Sequence, residues 1–270
     1  MAQNDCSPAS RLSALRAMSL QQLDQEISAP HMLRLDRFVH KGKRLDTVWA
    51  PFDHVNTRAR VVIVGITPGH QQMENALRAC HSRLVAGDSD ANALAVAKVH
   101  ASFSGAMRKN LVDLLDDIGI SRVLGLSSTA ALWAEASDLV QFSSALRYPV
   151  FVDGKNYSGQ PAMLRQPNLT AQLELWMGAE MRALPDAIYV PLGPKVGDAL
   201  AWLAPRVGVS DAQILTGLPH PSGASMERIA YWLRRKPREL LSVKTNADRL
   251  DAARAALLAK ISKFGETKWT

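Results

Sequence analysis

The sequence predicts an α/β sandwich with a mostly parallel sheet. Arg60-Val-Val-Ile-Val-Gly65 is an unbroken β-branched run, the pattern of a strand buried on both faces. Ala187-Ile-Tyr-Val-Pro-Leu192 is a second apolar strand. Helical stretches alternate with such strands, as parallel pairing requires.

The elements follow in order. Leu12, Leu15, Met18, Leu23 and Ile27 recur at helical spacing and place a helix within Ser7–Ser28. Gly42–His54 reads as polar and irregular, and leads into the first core strand. Thr67-Pro-Gly-His70 is a turn, and Gln71–Val85 is helical. Ala91–Ile118 holds one or two helices, interrupted near Ser102–Gly105. Ser121–Leu126 and Leu139–Ser144 are candidate strands. Pro149–Val152 and Lys155–Tyr157 flank Asp153-Gly154, a strong hairpin signal. Asn168–Ala183 is helical. Gly193-Pro194 turns the chain into a helix over Val196–Leu203. Gln213–Thr216 is a last short strand, and helices over Ala224–Arg235 and Asn246–Phe264 follow. With no internal repeat and no linker, residues 1–270 read as one domain, with helical decoration over about 1–55 and a basic helical extension over about 236–270.

Composition narrows the class. With 270 residues, 47% of them hydrophobic and 21% charged, disordered, collagenous and disulfide-scaffold proteins are excluded. Two cysteines, Cys6 and Cys80, supply neither a disulfide framework nor a four-thiolate cluster. No His-x-Glu or Cys-x-x-Cys pairing suggests a metal site, and no metal or other cofactor is expected. Met1–Pro30 has no signal-type apolar core and no apolar run approaches ~18 residues, so the expectation is a cytoplasmic, membrane-free monomer. The net charge of +7 is concentrated: Pro221–Thr270 holds eleven Lys or Arg and five Asp or Glu. That distribution fits a solvated helical face or a surface for a polyanion.

Ligands bind at the carboxyl edge of such sheets, and three turn-rich junctions lie there: Gly65–His70, Gly193–Gly197 and Gly217–Ser225. Glycines at Gly65 and Gly69 allow backbone N–H groups to approach a ligand, although strand-to-helix corners commonly need Gly and Pro. His220-Pro-Ser-Gly-Ala-Ser225 is more distinctive. A histidine at the end of a buried strand can donate into a crevice, while Ser222 and Ser225 can meet phosphate or cap the next helix. A capped helix start with an incidental histidine has the same spelling.

In this order the two motifs resemble the uracil-DNA glycosylase superfamily. Phe103-Ser-Gly105 with the helix after Met107 resembles the Phe-Val-Gly segment of its thermophile-type branch, and Val190-Pro-Leu-Gly193 resembles the strand and turn before the last motif. The similarity runs from about Val61 to Leu233 and is weak between about Val123 and Arg182. It implies a three-layer α/β/α sandwich that flips a damaged base out of DNA, single- or double-stranded, and hydrolyses its N-glycosidic bond. By this resemblance His220, neutral, donates to the departing base. Phe103 stacks on that base or is simply a core aromatic, and backbone near Ile66 and Thr67 lines the pocket. Pro68 and Gly69 leave room where the strictest uracil enzymes carry Tyr. Ser222, Gly223, Ala224 and Ser225 face the DNA backbone, with Arg228, Arg234, Arg235, Lys236 and Arg238 behind them.

Three positions depart from the family. The residue that activates water, Asp, Asn or Glu in most branches, is replaced by Ile66 and Thr67. Thr67 can orient a water but is no general base near neutral pH, and His70 or Glu74 could substitute. The base-reading Asn is not evident, with Ser143 and Ser144 the candidates and Asn156 in the hairpin beyond. The intercalating Leu is replaced by Ala224, with Met226 nearby, which offsets less of the unstacking cost. Two other functions therefore stay open. One is a non-catalytic nucleic-acid-binding module on the same fold. The other is a hydrolase acting on free nucleotides or nucleosides, which no Walker-type lysine or Gly-x-Gly-x-x-Gly supports.

Overall fold

A computed structural model describes residues 8–102 and 106–265 of the chain. In chain order they form α1 (Pro8–Ala17), α2 (Leu20–Ser28), β1 (Arg34–His40), β2 (Lys43–Val48), β3 (Val61–Gly65), α3 (His70–Val85) and α4 (Asp90–Ala101). Next come α5 (Ala106–Asp117), α6 (Ile120–Val123), β4 (Val140–Ser144), β5 (Val150–Val152) and β6 (Lys155–Asn156). Then follow α7 (Pro167–Gln172), α8 (Gly178–Ala183), β7 (Ile188–Pro191), α9 (Pro194–Val207), α10 (Met226–Trp232) and α11 (Ala247–Gly265). The fold is mixed α/β. The described residues divide into two compact units, one drawn from Met1–Val55, Ile66–Ser102 and Phe142–Met177, the other from Asn56–Gly65, Phe103–Gln141 and Gly178–Thr270.

The first unit carries an antiparallel sheet in the order β1-β2-β5-β6. Lys41 (φ 49°) and Gly42 (φ 75°) turn β1 into β2, and Asp153 (φ 49°) and Gly154 (φ 76°) turn β5 into β6. Two positive φ values in a two-residue loop match the right-handed twist of the flanking strands. The second hairpin agrees with the Asp-Gly signal. The first corrects the sequence reading in part: within Gly42–His54, Lys43–Val48 is a strand and only the residues after it are irregular, and the segment over 1–55 is not purely helical. Charged residues at Arg34, Asp36, Arg37, Arg44 and Asp46 hide the alternation, although Leu45 through Val48 are buried. Ser19 caps α2 in a capping box with Gln22, and Leu23 and Ile27 then pack with Leu15, Trp49, Leu77 and Phe151 in the core of this unit.

The second unit holds the parallel pairing. β3 and β7 run parallel, with Val61 opposite Ile188 and Val64 opposite Pro191, in a three-stranded sheet ordered β4-β3-β7. Val61 through Val64 are fully buried, as the unbroken apolar run requires. Among the described residues parallel pairing is confined to this sheet, and the four-stranded sheet is antiparallel. The expected strand over Gln213–Thr216 survives as a single parallel bridge, Tyr189 to Ile214. The expected strand over Ser121–Leu126 is instead the short helix α6, entered through Gly119 at φ 90°. Among the described residues no helix is long and apolar enough to cross a membrane.

Candidate functional site

In the second unit the His220 loop is fixed from several sides. After the bridge at Ile214, Leu215 N–H donates to Tyr189 O (2.8 Å), and Gly217 turns the chain at φ 117°. A Cβ on Gly217 would lie 3.1 Å from the Ala253 Cβ, so both conformation and space favour glycine there. Buried Leu218 anchors the approach, and Asn110 on α5 donates from Nδ2 to Pro221 O (2.9 Å). The Ser222 backbone N–H donates to His220 Nδ1 (3.2 Å). A backbone N–H only donates, so Nδ1 carries no proton and the neutral ring holds its hydrogen on Nε2. Burial also pushes the His220 pKa below its ordinary value of 6.5. The ring is a neutral donor whose Nε2–H has no protein acceptor among the described residues.

Beyond the histidine, Ser222 precedes a single 3-10 turn over Gly223–Ser225. Ser225 is buried, whereas Gly223, Ala224 and Arg228 are exposed and Met226 is half-exposed. The basic residues that follow are not equivalent. Arg235 pairs with Asp113 (2.7 Å), Lys236 with Glu227 (2.7 Å), and Arg238 with Asp248. Glu227 also accepts from the Ser242 backbone and hydroxyl and from Thr245, and these donors hold its carboxyl far below the usual carboxylate range. Arg228 and Arg234 are exposed and make no ion pair among the described residues, and Arg234 sits at a positive φ of 59°.

The Thr67–His70 corner belongs to the first unit from Ile66 onward, while half-buried Gly65 ends β3. Ile66 O accepts from Leu146 N–H (3.0 Å), Pro68 is buried, and Gly69 caps α3, its N–H donating to Gln72 Oε1 (3.0 Å). A Cβ on Gly69 would press 3.1 Å from Asn156 Nδ2, whose partner oxygen accepts the His70 backbone N–H (2.9 Å). The Thr67 hydroxyl donates to Tyr148 O (2.9 Å) and accepts from Val150 N–H (3.1 Å), so it stitches the turn to the chain entering β5. Thr67→Val removes both bonds and is expected to lower stability by about 1–2 kcal/mol in urea unfolding. His70 Nε2–H donates to Ile27 O (3.1 Å). Glu74 is paired with Arg78 (2.9 Å). Ser143 is buried and its hydroxyl lies 3.9 Å from Met177 Sδ, and Ser144 is half-buried at the end of β4. Phe103, the expected stacking residue, lies outside the described residues.

Two groups in the first unit were missed from sequence. Asp53 accepts from Trp49 Nε1 (3.1 Å) and from the Tyr148 hydroxyl, and burial raises its pKa. The buried Lys98 ammonium ties the adjoining backbone by donating to Phe52 O (3.1 Å) and His54 O (2.6 Å). The second group is the arginines of the β1–β2 hairpin beside His70. The signal for them is Lys41-Gly42 between the charged stretches Arg34–His40 and Lys43–Val48. Among the described residues no group of three or more His, Cys, Asp or Glu is placed to hold a metal.

A curated protein of Bacillus subtilis (strain 168), "Uncharacterized protein YoxB", is 31% identical over 218 residues, covering 80% of this chain and 85% of that protein. The chain belongs to the YoxB family. No family model and no solved structure matches it. The YoxB name carries no activity, so the chemistry rests on the residues described above.

Proposed function

We propose that this YoxB-family chain is a monofunctional DNA glycosylase on a three-layer α/β/α sandwich of the uracil-DNA glycosylase type, hydrolysing the N-glycosidic bond of a deaminated base. The observation that carries the reading is His220, neutral and half-buried, with its hydrogen on Nε2. When an N-glycosidic bond breaks, the base leaves as an anion. A fixed donor in a water-poor place stabilises that charge without first losing a proton itself. Asn110 and Gly217 support the reading because they hold the loop, and so the imidazole, in one position. The test is abasic-site formation on single- and double-stranded oligonucleotides containing uracil, hypoxanthine or xanthine. Product is expected on at least one. No product on any of them with enzyme in molar excess overturns the proposal.

DNA is the proposed partner, and Arg228 and Arg234 are the phosphate contacts best placed for it, being exposed and unpaired by acids. Changing both to Gln is expected to weaken DNA binding and to reduce the slope of log affinity against log salt by about 2. An unchanged slope returns these charges to surface decoration. A second reading, a binding module without hydrolysis, is favoured by one observation: Thr67 spends its hydroxyl on backbone bonds and Glu74 is paired, so neither is a ready base. Salt-dependent binding with no abasic product would select it.

A further inference from the structure

The first unit contains a cavity of about 420 Å³ between the end of α2, the β1–β2 hairpin and the start of α3. Arg34, Arg37 and Arg44 line it, together with Asp46, His70 and Phe151. We propose that this cavity binds a small organic phosphate monoester, its phosphate held by the three arginines and its body against Phe151.

The sheet builds the cationic end. Arg37 lies opposite Asp46 across the β1–β2 ladder, and Asp46 lies opposite Phe151 across β2–β5, so the three side chains share one face. Arg44 is two residues before Asp46 on the same strand and projects to that face too. Arg37 Nε–H donates to Asp46 Oδ1 (2.5 Å) and Arg44 Nε–H donates to Oδ2 (3.0 Å). One carboxylate thus orients two guanidinium groups by their Nε atoms. The terminal amino groups of both are without a partner among the described residues, and those are the atoms that grip phosphate in a fork. Arg34 contributes a third group, restrained by one long bond to Pro30 O (3.4 Å).

Charge and size select the ligand. Three guanidinium groups against one carboxylate leave a formal surplus of two positive charges. A phosphate monoester carries between −1.5 and −2 at pH 7, roughly that surplus, where a carboxylate carries −1. The volume lies within the range of small-molecule pockets, roughly 300–1,000 Å³, so a bare phosphate would leave most of it unfilled. The rest of the wall joins apolar Ile27, Val48, Met73 and Phe151 to polar Ser28 and His31, with the His70 ring edge-on to Phe151 at 6.2 Å. This favours a ring or aliphatic body behind the anionic head.

The full-length chain is titrated by calorimetry with AMP, adenosine and inorganic phosphate. AMP is expected to bind about 10-fold or more tighter than either of the other two. Arg44→Gln and Arg34→Gln are each expected to weaken AMP about 10-fold, with circular dichroism unchanged. Two variants are used because Arg34, with its single weak bond, can be replaced without disturbing the Asp46 cluster. His220→Ala should leave AMP affinity within about 2-fold, which keeps this result separate from the success or failure of the glycosylase proposal. The inference is overturned by no AMP binding at millimolar concentration, by equal affinity for inorganic phosphate and AMP, or by AMP binding that both arginine variants retain.

Discussion

His220→Ala is expected to lower the rate of abasic-site formation by about 100- to 1,000-fold, the loss typical when one preorganised donor to a developing anion is removed. The imidazole also accepts the Ser222 N–H, so the substitution frees a loop hydrogen bond as well as the donor. His220→Gln separates the two effects. Its amide can accept from Ser222 and still present an N–H, so it should retain part of the activity lost in the alanine variant. Substrate affinity should change much less than the rate in both, because the donor acts on charge that appears only as the bond breaks. Rates within about 3-fold of the parent for both variants would remove His220 from the chemistry.

The same residue sets a pH dependence. Burial lowers the His220 pKa below 6.5 in the folded chain, so the neutral donor persists into mildly acidic solution. Between the unfolded-state value and the lower folded-state value the unfolded chain binds more protons. The His220 contribution is therefore complete above pH 6.5 and is lost as pH falls through that window. Activity should hold just below pH 6.5 and decline as the folded-state pKa is passed. An NMR titration of the His220 ring with its midpoint at or above 6.5 would contradict this.

What was legible in the sequence follows from how local each signal is. The run Val61–Val64 and the Asp153-Gly154 turn are local, and both appear where the sequence places them. The β1–β2 hairpin is not legible, because charged residues in both strands break the hydrophobic alternation. Asp46 is buried as an acceptor for Arg37 and Arg44, which the sequence cannot reveal until the strands are paired. Ser121–Leu126 misled in the opposite direction: its apolar residues fit a strand, but Gly119 at positive φ starts a helix first. At the site, the His220 motif was visible as a spelling, whereas its protonation state came only from the Ser222 N–H. Thr67 shows the limit most clearly. A threonine beside Pro68-Gly69 could hold water or hold backbone, and only the positions of Tyr148 and Val150 show that it holds backbone.

Glu26→Ala is expected to cost about 3–5 kcal/mol of stability, a large share of the roughly 5–15 kcal/mol typical of a folded domain. Glu26 sits near the end of α2 and is buried. Its carboxylate accepts three consecutive backbone N–H groups, from His31 (3.0 Å), Met32 (3.1 Å) and Leu33 (3.0 Å). The chain leaves α2 through Ala29-Pro30, and the Glu26 carboxylate satisfies these three donors of the turn. Alanine would leave the Leu33 donor wholly buried without a partner, while those of His31 and Met32 could recover part of their bonding from water. Glu26→Gln keeps one accepting oxygen but no charge, so its cost should be about half. The same turn forms one wall of the arginine-lined cavity, so Glu26→Ala should also weaken AMP binding while the Gln variant retains more of it. Urea unfolding within about 1 kcal/mol of the parent for Glu26→Ala would show that the three bonds are exchanged with water at little cost.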